Sequence, residues 1–189
     1  MTHRTLVLGG TRSGKSAHAE GLLPGEAPAT YVATARRDPD DTEWSARIAA
    51  HVARRPAHWR TVEAGPADLA GVLSAARAGD PPLLVDDIAT WLTGVLDDAG
   101  GWDGDAEALA RVGSAADALV RAVAGCTARL VLVSAEVGLG VVPATRSGRL
   151  FRDSLGALNA RLGEVCDEAL FLLAGMPVQL KSFPGGSGP

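Results

Sequence analysis

A chain of 189 residues has the length of one ordinary domain, and its 47% hydrophobic content is enough to bury a substantial core. A formal net charge of -4 supplies no general attraction to polyanions, which weighs against a sequence-independent nucleic-acid binder and makes any anion site a local one. Cys126 and Cys166 are too few and too isolated for a disulfide framework or a CxxC metal site.

The first apolar run, residues 5–8, passes straight into glycine and is too short for a secretory signal, and no window approaches twenty uncharged apolar residues. A cytoplasmic protein without membrane insertion is expected. Short apolar or β-branched runs then alternate with longer Ala-, Leu- and Arg-rich segments, which is the pattern of parallel strands joined by helical crossovers and predicts an α/β fold.

A strand at 5–9 leads directly into Gly9-Gly10-Thr11-Arg12-Ser13-Gly14-Lys15-Ser16 and a helix at 15–23, so the pattern GxxxxGK[ST] sits in the strand-to-helix context that gives it meaning. Gly9 and Gly14 let the backbone turn until successive N–H groups face phosphate oxygens, with the positive end of the helix behind them. Lys15 is expected to neutralise the β and γ phosphates and Ser16 to place its hydroxyl on Mg2+. The other reading is a glycine-rich βα turn that binds nothing, and the full pattern in its context stands against it.

After a strand at 29–34, Asp40-Asp41-Thr42-Glu43 resembles a capped helix start and Pro56 forbids helix beyond Arg55, giving a helix at 43–55. At helical periodicity Arg47, His51, Arg54 and Arg55 share an arc of about 100°, with Trp44, Ile48 and Val52 as the adjoining apolar stripe. Neighbouring positive charge disfavours an imidazolium, so His51 is expected to keep a nitrogen lone pair able to attack phosphorus. Taken alone, the spacing fits a solvated His/Arg face better than a catalytic one.

A strand at 59–62 and a helix at 67–78 precede the strand 83–86, which ends in Asp86-Asp87. A P-loop needs a second, metal-side acid at such a strand end, and Asp86 is the candidate; capping the helix at 88–96 is the competing role for either aspartate. Residues 97–105, with three glycines and four aspartates, read as a surface loop, followed by a helix at 106–124 and a strand at 130–134. The glycine-hinged run 137–143 leads to a helix at 146–165. Strands at 169–173 and 178–181, separated by Gly175-Met176-Pro177, are expected to pair as an edge hairpin. The domain is expected to span 1–183, with a disordered tail at 184–189.

Taken together these segments resemble the adenosylcobinamide kinase / adenosylcobinamide-phosphate guanylyltransferase family of cobalamin biosynthesis. Besides the P-loop, the resemblance rests on Ala33-Thr34, on Ala46-Arg47-Ile48 through His51 to Arg55-Pro56-Ala57-His58-Trp59-Arg60-Thr61, and on Leu84-Val85-Asp86 through Trp91-Leu92-Thr93. It continues with Glu136 through Pro143 and with Arg149, Phe151-Arg152-Asp153, Gly156 and Asn159. The resemblance implies a RecA-like P-loop fold, a homotrimer, and two reactions. The first phosphorylates adenosylcobinamide with ATP or GTP, and the second transfers GMP from GTP to adenosylcobinamide phosphate through a guanylylated histidine. It assigns that histidine to His51 and guanine-nucleotide contacts to Val52, Ala53, Arg54, Arg55, Glu63, Asp86, Ala33, Thr34 and Ala35. Three positions depart from the family pattern: Gly94 and Ala135 stand where Asn is frequent, and Ala160 where Gln is common.

Overall fold

A computed structural model of the chain describes residues 3–36, 49, 52 and 55–182. Within them β1 (Arg4–Gly9), β2 (Thr30–Ala33), β3 (Arg60–Glu63), β4 (Leu83–Asp86), β5 (Leu130–Ala135), β6 (Glu168–Leu173) and β7 (Met176–Lys181) form one sheet in the order β3-β2-β4-β5-β1-β6-β7. Every neighbouring pair is parallel except β6 with β7, which closes the edge as the expected antiparallel hairpin. The helices are α1 (Lys15–Gly21), α2 (Leu69–Ala75), α3 (Ile88–Ala99), α4 (Ala106–Gly125) and α5 (Arg146–Val165), with a 3-10 turn at Gly101–Asp103.

Because successive strand residues face opposite sides, the central strands feed two cores. Leu6, Val85, Leu130 and Leu132 pack with α2, α3, α4 and α5 through Leu69, Trp91, Leu119 and Leu158. Val7, Tyr31, Leu84, Val131 and Val133 pack on the other side with Ala19 of α1, Leu23 and Trp59. The helix after β1 and the helix after β5 thus cover opposite faces. In an open parallel sheet that arrangement leaves a crevice at the strand ends, here beside Gly9 and its register partner Ala135.

Three sequence expectations are corrected. Residues 97–99 continue α3, which ends at Gly100 in a left-handed conformation, and 101–103 form a 3-10 turn rather than open loop. Acidic residues at a helix C-terminus oppose its dipole, which makes this stretch read as loop. Here Asp97 instead accepts a 2.6 Å bond from the Trp102 indole, and Asp98 pairs with Arg36 at 2.5 Å. The hairpin turn is Ala174-Gly175, with φ of 50° and 80°, so Met176 and Pro177 already belong to β7. Val52, assigned to an apolar stripe, is 47% exposed. The remainder of the helix expected at 43–55, apart from Ala49, Val52 and Arg55, lies outside the described residues, as does the tail at 184–189.

The departures from the family pattern have local settings. A Cβ on Gly94 would stand 2.8 Å from Cγ of Pro66, whose carbonyl accepts from the Trp91 indole at 3.2 Å, so this contact between α3 and the loop after β3 needs glycine. Ala160 is on the exposed side of α5. Ala135 contributes its backbone: buried Asn159 donates to the Ala135 carbonyl at 3.0 Å and accepts from the buried Ser134 hydroxyl at 2.7 Å. Asn159→Ala strands both groups, and a loss of about 2–3 kcal/mol is expected, read as a lower urea midpoint at unchanged slope.

Candidate active site

The phosphate loop leaves β1 at Gly9, where a Cβ would strike the Ser13 hydroxyl and come within 3.0 Å of the Leu172 carbonyl on β6. Only glycine lets the chain turn this close to its neighbour. Gly14, at φ 90°, caps α1. The Ser13 N–H donates to Gly10 O at 3.2 Å, and the Lys15 ammonium lies back over the loop, 3.4 Å from the same carbonyl. The buried Ser13 Oγ makes no hydrogen bond among the described residues.

Neighbouring elements brace the loop from both sides. Gly175 of the β6–β7 turn donates to Ser13 O at 3.1 Å, and Glu136 at the end of β5 donates to Gly9 O at 3.0 Å. The second bond brings the run after Glu136 beside the cradle, where Leu139, Val141 and Val142 are 79%, 95% and 58% exposed.

The aspartate pair at the end of β4 divides its duties. Asp87 caps α3, its Oδ1 accepting from the Thr90 N–H at 2.7 Å, and burial pushes its carboxyl above the usual range. Asp86 faces the phosphate loop: Oδ1 accepts from the Ser16 hydroxyl at 3.2 Å, and Oδ2 from the Tyr31 phenol at 2.6 Å. Ser16 and Asp86 form a hard oxygen pair of the kind Mg2+ takes when phosphates and water complete its shell. Among the described residues no three His, Cys, Asp or Glu side chains gather into a metal cage, so a protein-only metal site has no basis there.

Thr34 and Ala33 lie beside this pair. The Thr34 hydroxyl donates to Asp87 O at 2.7 Å and accepts from Asp87 N–H at 3.0 Å, so it locks the strand ends together. Ala33 is in register with Asp86 on one side and Glu63 on the other, which aligns three of the expected nucleotide contacts along the strand ends; Ala35 follows, half-buried. Arg55 reaches the same place from the loop before β3: its guanidinium lies 3.3 Å over the Tyr31 ring, and Nη1 is 3.3 Å from the Thr61 hydroxyl. Arg12 is exposed at the tip of the loop with φ 57°. His51, Ala53 and Arg54 fall outside the described residues.

Tyr31 was not among the expected site residues. Its signal was available: it lies two positions before Ala33, on the same face of β2, and parallel register sets Ala33 opposite Asp86.

A phosphate loop at the carboxyl edge of a parallel sheet, with a strand-end carboxylate on its serine, defines a P-loop nucleotide-binding enzyme of RecA-like α/β fold. Solved structures agree on that fold. An ATPase from the type III secretion system of pathogenic bacteria aligns with a TM-score of 0.57 at 12% identity, over 90% of this chain and 51% of that one. A Pyrococcus horikoshii protein aligns at 0.52 and 11% identity, over 97% and 88%.

Residues 5–180 match the family model described as cobinamide kinase / cobinamide phosphate guanyltransferase, and the chain belongs to that family. It is 43% identical to the bifunctional adenosylcobalamin biosynthesis protein CobP of Pseudomonas aeruginosa, over 96% of this chain and 99% of the relative. It is 41% identical to the bifunctional adenosylcobalamin biosynthesis protein CobU of Salmonella typhimurium, over 93% and 98%. The chain is accordingly a transferase of cobalamin biosynthesis, uniting kinase and nucleotidyltransferase classes. No helix among the described residues is long and apolar enough to cross a membrane.

Proposed function

We propose that this enzyme phosphorylates adenosylcobinamide with ATP or GTP and then transfers GMP from GTP to the resulting phosphate, using His51 as a covalent carrier. The family match over residues 5–180 carries this reading, and the Ser16–Asp86 pair beside the phosphate loop supports it.

In the first reaction the aminopropanol hydroxyl attacks the γ-phosphorus and gives its proton to solvent, while the bond to the β–γ bridging oxygen breaks and the nucleoside diphosphate leaves with the electron pair. Lys15 and the loop N–H groups hold the transferring oxygens in line. In the second, a ring nitrogen of His51 attacks the α-phosphorus of GTP. An N–P bond forms, the bond to the bridging oxygen breaks, and pyrophosphate leaves with the electron pair. A phosphate oxygen of adenosylcobinamide phosphate then attacks the same phosphorus, restoring the imidazole and giving adenosylcobinamide-GDP. Two displacements replace one difficult encounter between bulky polyanions. Ser16 and Asp86 would hold Mg2+, which supplies neutralising charge at the phosphate oxygens.

Val52, Ala53, Arg54, Arg55 and Glu63, with Ala33, Thr34 and Ala35, are assigned to the guanine nucleotide, and the exposed apolar run after Glu136 to the corrinoid. The active form is proposed to be a cytoplasmic homotrimer of subunits folded as one domain over 1–183.

Incubation with GTP labelled at the α-phosphorus tests the covalent step. Acid-labile, base-stable label on the protein, discharged by adenosylcobinamide phosphate, is expected. Active protein that never takes up label would leave a kinase alone.

A further inference from the structure

Four side chains from four parts of the chain form one connected line: Arg55 over the Tyr31 ring, the Tyr31 phenol on Asp86, and Asp86 on Ser16. The line joins the phosphate cradle to the residue that closes the segment bearing His51.

We propose that Tyr31 is a positioning residue: its phenol fixes the Asp86 carboxylate so that Oδ1 stays turned to Ser16, and its ring seats Arg55. This rests on the metal-side role proposed for Asp86. A carboxylate turning about its last bond would present either oxygen, or an edge between them, to a cation. A 2.6 Å bond from a rigid donor to Oδ2 removes that freedom. Tyr31 is such a donor, being 2% exposed and packed in the core with Trp59 and Leu84. The guanidinium over the ring face is a cation–π contact, and its Nη1 reaches the Thr61 hydroxyl at 3.3 Å, so two neighbours fix Arg55 there.

Tyr31→Phe separates the two duties, since it keeps the ring beneath Arg55 and deletes only the hydroxyl. Mn2+ binding, followed by its paramagnetic resonance in the presence of a non-hydrolysable GTP analogue, is expected to weaken about tenfold in Tyr31→Phe. Affinity for the analogue without metal should change little. Asp86→Asn serves as the reference. If it weakens Mn2+ binding while Tyr31→Phe binds as the parent does, the positioning role is wrong and the Asp86 assignment stands. If Asp86→Asn also binds Mn2+ as the parent does, the metal-side assignment fails and takes the Tyr31 role with it.

A measurement on the unsubstituted chain guards against a folding defect. Tyr31 is the only tyrosine in the sequence, so 3-fluorotyrosine incorporation gives a single fluorine resonance. That resonance should move when Mg2+ is added to the nucleotide complex and stay still in Asp86→Asn. A resonance indifferent to Mg2+ in the unsubstituted chain overturns the proposal.

Discussion

Lys15→Ala is expected to lower both phosphoryl transfer to adenosylcobinamide and guanylylation of the protein, each by about a thousandfold or more. The ammonium lies over the loop 3.4 Å from Gly10 O, inside the turn proposed to hold the phosphates. Arg12 cannot replace it, because it stands exposed at the tip. If one triphosphate clamp serves both reactions, the two losses run in parallel across Lys15→Ala and Lys15→Gln. Assays of the phosphorylated corrinoid and of labelled protein give the two rates separately. A variant that loses one rate and keeps the other would show two clamps. Stability should barely change, since the Lys15 bond to Gly10 O is long and only part-buried, and a thermal melt within about 2 °C of the parent is expected.

His51→Ala is expected to split the reactions that Lys15→Ala removes together. Guanylyl transfer should fall to background, a loss above about a thousandfold, because no other group would carry the covalent GMP. Phosphorylation of adenosylcobinamide should stay within about threefold, since in the proposed first reaction the γ-phosphoryl passes directly to the substrate hydroxyl. Separate assays of adenosylcobinamide phosphate and adenosylcobinamide-GDP measure the split. Guanylyl transfer that survives in His51→Ala rejects this nucleophile, whereas joint loss of both activities would make the residue a structural support.

Several parts of the site were legible in sequence because their geometry is local. Eight consecutive residues make the phosphate loop, and the apolar run before them can only be a buried strand. The division of labour between Asp86 and Asp87 was not legible, since adjacent residues on a strand point opposite ways and only the neighbours decide which faces the loop. Those neighbours are Ser16, 70 positions earlier, and Thr90, on the following helix. Tyr31 was missed for a related reason: an aromatic in an apolar strand reads as core, which it also is. The hairpin turn was displaced because Gly-Met-Pro resembles a breaker. Ala174 instead accepts the left-handed conformation next to Gly175, and Pro177 is tolerated on a strand that lies at the sheet edge among the described residues. The end of α3 was set too early because its last turn is acidic, and the Arg36 and Trp102 partners that favour it come from outside that helix.

The central position of β1 bears on how the chain acquires its binding capacity during synthesis. β1 lies between β5 and β6, both made after it, whose pairing begins at Leu130 and Glu168, and the loop that follows it is braced by Gly175. A nascent chain therefore carries the complete glycine-lysine-serine signature before the flanking strands that give it shape have been made. Such order couples competence to completion: a product truncated before the last hairpin retains the nucleotide motif in its sequence but cannot assemble the cradle.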